Sequence, residues 1–96
     1  MLIARVRGSA VSTVKDPSLV GSKLLLVQET TEAGDPTGSV FVAVDGVGAG
    51  TGELVLVVTG SAARHGSPTG TQASDALVVG ILDSMDVDGS DTFRKY

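Results

Sequence analysis

Four glycines at alternate positions, Gly46, Gly48, Gly50 and Gly52, fall in the stretch AVDGVGAGTGELVLVVTG (residues 43–60). Backbone this free of side chains can cradle a phosphate or turn tightly between strands. A dinucleotide site needs G-x-G-x-x-G after a strand and before a helix, so that the pyrophosphate meets the helix N-terminus. The strand is present, since SVFVAVD is dense in β-branched residues. The spacing fails: counted from Gly46 the third glycine falls on Thr51, and counted from Gly48 it falls on Glu53. Leu54 to Val58 is too short and too valine-rich for the helix, and no lysine precedes a serine or threonine as a P-loop requires. The glycines read as a structural turn between antiparallel strands.

Other reactive side chains are sparse. His65 is the sole histidine, and no G-x-S-x-G elbow supplies a serine for it. Ser61 reads as a cap for a turn at Ala62. DSMDVDGSD offers Asp83, Asp86, Asp88 and Asp91 to a cation. Setting Gly89 on the fixed glycine of a calcium loop puts Ser84 at its first position and Lys95 at its bidentate glutamate, so both ends fail and an acidic solvated turn is expected. Asp45 and Glu53 flank the glycine stretch and could pair for acid/base work, but no partner lies near them in sequence, and they read as solvated loop-end carboxylates. No catalytic residue, metal or cofactor is assigned.

The elements around these residues are short. Ninety-six residues make one domain, 1–96, cut by Gly, Pro, Asp and Ser into apolar runs that signal a small all-β barrel or sandwich. Strands are expected at 1–13, 23–29, 39–45, 53–59 and 76–86. TTEAGDPTGS (30–39) reads as a mobile hairpin tip, and GSAARHGSPTGTQAS (60–74) as a connection with one helical turn around Ala62 and Ala63. The tail DGSDTFRKY reads as a short helix or frayed. The first strand alternates, with Leu2, Ala4 and Val6 opposite Ile3, Arg5 and Arg7. KLLLVQ, VFVAV, LVLVV and ALVVGIL are apolar on both faces, which predicts a sheet covered on both sides. No helix in the chain is long enough to do this, so the expected cover is a neighbouring copy; the alternative is valines left exposed on a soluble monomer.

The net charge of −4 and scattered basic residues oppose nucleic-acid binding. Phe41, Phe93 and Tyr96 are too few for a stacking platform. Without cysteine there is neither disulfide nor thiolate site, which points a small domain toward self-association and is consistent with a reducing cytosol. No run approaches a signal or membrane segment, so a cytoplasmic location without membrane contact is expected.

AVDGVGAGTGELVLVVTGSAAR, with KLLLVQ before it and SDALVVGILD after it, resembles the small vertex proteins of bacterial microcompartment shells, the family of carboxysomes and of ethanolamine- or propanediol-type compartments. The likeness runs nearly end to end: Gly8 and a V-x-T-x-K segment at Val11, Thr13 and Lys15, then Leu19, Gly21 and KLLLV, the glycine block, GSAAR, and D-x-x-VVGI-x-D from Asp75 to Asp83. HGSPTGTQAS and DVDGSDTFRKY match nothing fixed in the family. The resemblance implies a five-stranded barrel similar to an OB-fold, with the helical turn between its fourth and fifth strands. It also implies a homopentamer at five-fold vertices among hexameric shell proteins, and no catalysis. An outward-facing Val55 or Val57 is then expected at the subunit interface. GSAAR (Gly60, Ser61, Ala62, Ala63, Arg64) is expected either at the five-fold axis, with Arg64 paired to Asp45 or Asp75, or in an ordinary surface turn. Two other classes remain open from the residues: an OB-like module for single-stranded nucleic acid, which charge and aromatic count oppose, and a small barrel enzyme or ligand carrier, for which no polar pocket residues can be named.

Overall fold

A computed structural model describes residues 1–13, 16–60, 63 and 75–96. Strands β1 (Leu2–Ala10), β2 (Leu24–Thr30), β3 (Pro36–Asp45), β4 (Leu54–Thr59) and β5 (Ala76–Ile81) close into a barrel in the order β1-β2-β3-β5-β4. All neighbours are antiparallel except β3 and β5, which run parallel through Val44–Leu77 and Asp45–Val78. This is the five-stranded OB-like barrel expected. A short 3-10 turn, η1 (Pro17–Leu19), lies between β1 and β2, with Asp16 Oδ1 accepting from the Ser18 N–H at 2.9 Å and Pro17 at the first position. Among the described residues no helix is long and apolar enough to cross a membrane.

Alternation along each strand fills the barrel. Ala4 and Val6 of β1, Leu25 and Val27 of β2, Ala43 of β3, Val55 and Val57 of β4 and Val78 of β5 form one buried cluster. Val55 and Val57 are therefore not the interface residues expected from sequence: both are fully buried. The pairing sets this, because Val55 lies opposite Ala4, Val57 opposite Leu2, and directly opposed residues share a face. The outward positions of β4 are Leu54, Leu56 and Val58.

Part of the outer face is covered by the chain itself, where a neighbouring copy was the expected cover. Val44, Leu77 and Ala63 form a second buried cluster against Leu19, Leu24 and Val58, so η1 and the residue after β4's turn lie over the outside of β3 and β5. Leu54 sits beside Gly34, where an added β-carbon would lie 3.5 Å from Leu54 Cδ1. The expected mobile tip is bound instead: Thr31 Oγ1 accepts from the Ala33 and Asp35 amides, the Thr31 N–H donates to the Asp35 carbonyl at 2.8 Å, and Pro36 to Ser39 already belong to β3.

The last strand is shorter than the sequence suggests. β5 stops at Ile81, and β6 (Ser84–Val87) pairs with β7 (Ser90–Arg94) as a separate two-stranded hairpin. Its two-residue turn is Asp88-Gly89, both with positive φ (52° and 81°), the geometry that Asp-Gly favours. The tail is thus neither helical nor frayed.

Candidate functional site

The glycine turn is built around two carboxylates. Asp45, at the end of β3, accepts through Oδ1 from the amides of Val47, Gly48 and Ala49 at 3.1, 3.0 and 3.2 Å. Glu53, just before β4, accepts the Gly50 amide through Oε1 at 2.7 Å and meets Lys95 Nζ through Oε2 at 2.6 Å. The Lys95 hydrogen bond, helped by the Gly50 amide, holds the Glu53 carboxyl below the usual range, and the same contact raises Lys95. Arg5 Nη1 donates to the Gly52 carbonyl at 2.8 Å and Lys23 Nζ to that of Ala49 at 3.3 Å. Ala49 is carried into the barrel core and fully buried.

Such a run of amides is a ready anion site, yet the amides here already face the chain's own carboxylates. Asp45 and Glu53 are therefore loop clamps, not the solvated pair read from sequence. The glycines divide by cause. Gly46 donates to the Val78 carbonyl at 3.0 Å, and a β-carbon on it would approach that oxygen to 2.7 Å. Gly48 and Gly52 have positive φ, while Gly50 has ordinary φ and only a 3.5 Å neighbour, so the turn does not demand glycine there.

The remaining sites named from sequence are dispersed. The Gly60 amide donates to the Asp75 carbonyl at 2.8 Å and the Ala63 amide to the Gly60 carbonyl at 3.1 Å. Ala63 packs onto the outside of the barrel and is buried, which takes its side chain out of any pore wall. Ser61, Ala62 and Arg64 lie outside the described residues, as does His65, so the helical turn at Ala62 and the Arg64 pairing lie there too. Among the described residues no three His, Cys, Asp or Glu converge on a metal position. Asp86 and Asp91 face each other across the β6–β7 hairpin, where Asp91 is bound by Arg94 at 2.7 Å. A shallow hollow of about 280 Å³ lies at the end of β1 and the start of β2, lined by Ser9 to Ser12 and Ser22 to Leu24.

Sequence reasoning missed two features. One is the hairpin turn, which the Asp-Gly pair does signal. The other is which residues make the outer apolar face that the two-sided strands led one to expect: Leu26 opposes Val42 and Gln28 opposes Val40, on the face away from Leu25, Val27 and Ala43. Val40 and Val42 are 46% and 47% exposed.

The family described as "Ethanolamine utilisation protein EutN/carboxysome" matches residues 1–83. The bacterial microcompartment shell vertex protein PduN of Salmonella typhimurium is 52% identical over 88% of this chain and 98% of its own length. The carboxysome shell vertex protein CcmL of Gloeobacter violaceus is 48% identical over 99% of this chain and 95% of its own; its solved structure superimposes with a TM-score of 0.92. A solved structure described as the GrpN pentameric microcompartment shell protein of Rhodospirillum rubrum is 48% identical, covers 91% of this chain and 98% of its own, and has a TM-score of 0.81. With its barrel order, its clamped glycine turn and these likenesses end to end, the chain belongs to the EutN/CcmL family of microcompartment shell vertex proteins.

Proposed function

We propose that the chain is a structural protein that forms homopentamers and caps the five-fold vertices of a bacterial microcompartment shell in the cytoplasm, set among hexameric shell proteins. The observation that carries this is the outward strip of Leu26, Val40 and Val42 on a barrel whose core is already complete without it. A five-fold ring joins unlike surfaces head to tail, so each copy needs two different patches. Val79 of β5, the strand next to β3 in the barrel, is 37% exposed and adds apolar surface. No catalytic role accompanies this reading, and the backbone donors of Val47 to Gly50 are held by Asp45 and Glu53. Nucleic acid is disfavoured as a partner: five copies carry five times −4, or −20, which repels the phosphates whose counterion release drives binding. Sedimentation of the purified chain at micromolar concentration tests the proposal. A five-copy particle supports it, and a single-copy particle removes it.

A further inference from the structure

Two aspartates in the chain precede glycine, Asp45 and Asp88; every other aspartate precedes a residue with a β-carbon, and the chain has no asparagine. An aspartyl carboxyl is open to attack by the next amide nitrogen, and glycine leaves that nitrogen least hindered. The fold treats the two pairs oppositely. Asp45 Oδ1 accepts from the amides of Val47, Gly48 and Ala49, and the Gly46 amide donates to the Val78 carbonyl at 3.0 Å. Both reacting groups are held there. Asp88 and Gly89 form the exposed turn of the β6–β7 hairpin, and among the described residues neither the Asp88 carboxylate nor the Gly89 amide has a hydrogen-bond partner. Nothing lies within 4 Å of where a β-carbon on Gly89 would stand. Asp88 is also alone among the described non-glycine residues in having positive φ, 52°, a backbone state that L residues adopt at some cost.

We propose that Asp88 is a site of spontaneous covalent modification, converted by the Gly89 amide to an isoaspartyl linkage, and that the fold protects Asp45 from the same reaction. The Gly89 nitrogen bonds to Asp88 Cγ, and one carboxylate oxygen leaves as water with the amide hydrogen and a proton from solvent. The succinimide so formed takes up water at its main-chain carbonyl. The bond from that carbon to the Gly89 nitrogen breaks, an α-carboxylate is freed with return of the proton, and the chain runs on through Cβ and Cγ. Water is the only co-reactant. The main chain gains one atom between Val87 and Ser90, the pair that closes the turn. A two-stranded hairpin is marginal in water, so this one loosens above its stem, where the Lys95 amide meets the Asp83 carbonyl and Lys95 Nζ meets Glu53. The barrel core shares no residue with the hairpin and keeps its packing. The product carries the carboxylate that isoaspartyl methyltransferases esterify.

The purified wild-type chain is aged at neutral pH, in buffer and in denaturing urea. Peptide mapping locates isoaspartate, and methyl transfer from S-adenosylmethionine by an isoaspartyl methyltransferase counts it. In buffer, Asp88 is expected to convert at least about tenfold faster than Asp45, where reaction waits on local opening. In urea the two rates should converge. Asp88→Glu, which cannot close a succinimide, is expected to lose most methyl acceptance in buffer and to keep the share that Asp45 contributes in urea. Hydrogen exchange of the aged chain should find protection lost across β6–β7 and kept in the barrel. Asp45 converting as fast as Asp88 in buffer, urea accelerating Asp88 as strongly as Asp45, or methyl acceptance in buffer surviving Asp88→Glu overturns the site. An aged chain whose hairpin keeps its protection overturns the loosening.

Discussion

Asp45 and Gly46 show how much of the turn depends on single atoms. Replacing Gly46 by Ala drives a β-carbon to 2.7 Å from the Val78 carbonyl, and overpacking against backbone costs about 1–3 kcal/mol. Gly50→Ala meets only ordinary contact at 3.5 Å. Urea titration is expected to shift the Gly46→Ala midpoint well below wild type and to leave Gly50→Ala close to it; equal effects would contradict the assignment. The Glu53–Lys95 contact carries a pH signature. Glu53 is depressed, so its contribution is present above the unfolded carboxylate value and lost as pH falls through the lower folded one. Lys95 is raised, so its contribution is present below the unfolded lysine value and lost as pH rises through the higher folded one. The latch is therefore closed at neutral pH and opens at both extremes. Carbon-detected NMR titration of the Glu53 carboxyl should give a pKa below a free glutamate, and Lys95→Ala should raise it toward that value, with the Gly50 amide still holding part of the shift. Asp45 was legible as a clamp in principle, since an aspartate before G-x-G is placed to accept amides two to four residues ahead. The latch from Glu53 to Lys95 was not, because the two lie 42 residues apart.

Strands announce themselves through β-branched runs, but a run apolar on both faces does not say which face turns inward. LVLVV left β4 undecided, and only its pairing to β1 sends Val55 and Val57 into the core. The two kinds of valine should part on substitution. Val55→Asp buries an unpaired charge, which costs about 3–5 kcal/mol, a large part of the roughly 5–15 kcal/mol that holds a domain folded. Val42→Asp charges a side chain already half exposed. Circular dichroism with sedimentation should find Val55→Asp unfolded or steeply destabilised, and Val42→Asp folded but dissociated. A folded pentamer in both cases would contradict the face assignment. The barrel's order was legible only through family resemblance, because the parallel β3–β5 closure rests on two residue pairs that no local pattern encodes. The β6–β7 hairpin was legible from its Asp88-Gly89 pair alone.

At the scale of the whole molecule, the chain completes its own core, covers part of its outer wall with η1 and Ala63, and leaves apolar surface on β3, β5 and the hairpin. A monomer gains nothing from that surface, whereas a closed ring buries it between unlike faces. Composition pointed the same way, through two-sided apolar strands and the absence of cysteine, but it could not say which strands supply the faces. The most direct test is native mass spectrometry of the wild-type chain at low micromolar concentration. A dominant particle of five 9.6 kDa chains is the predicted result, and a dominant single chain, or a ring of any other number, would contradict the vertex assignment.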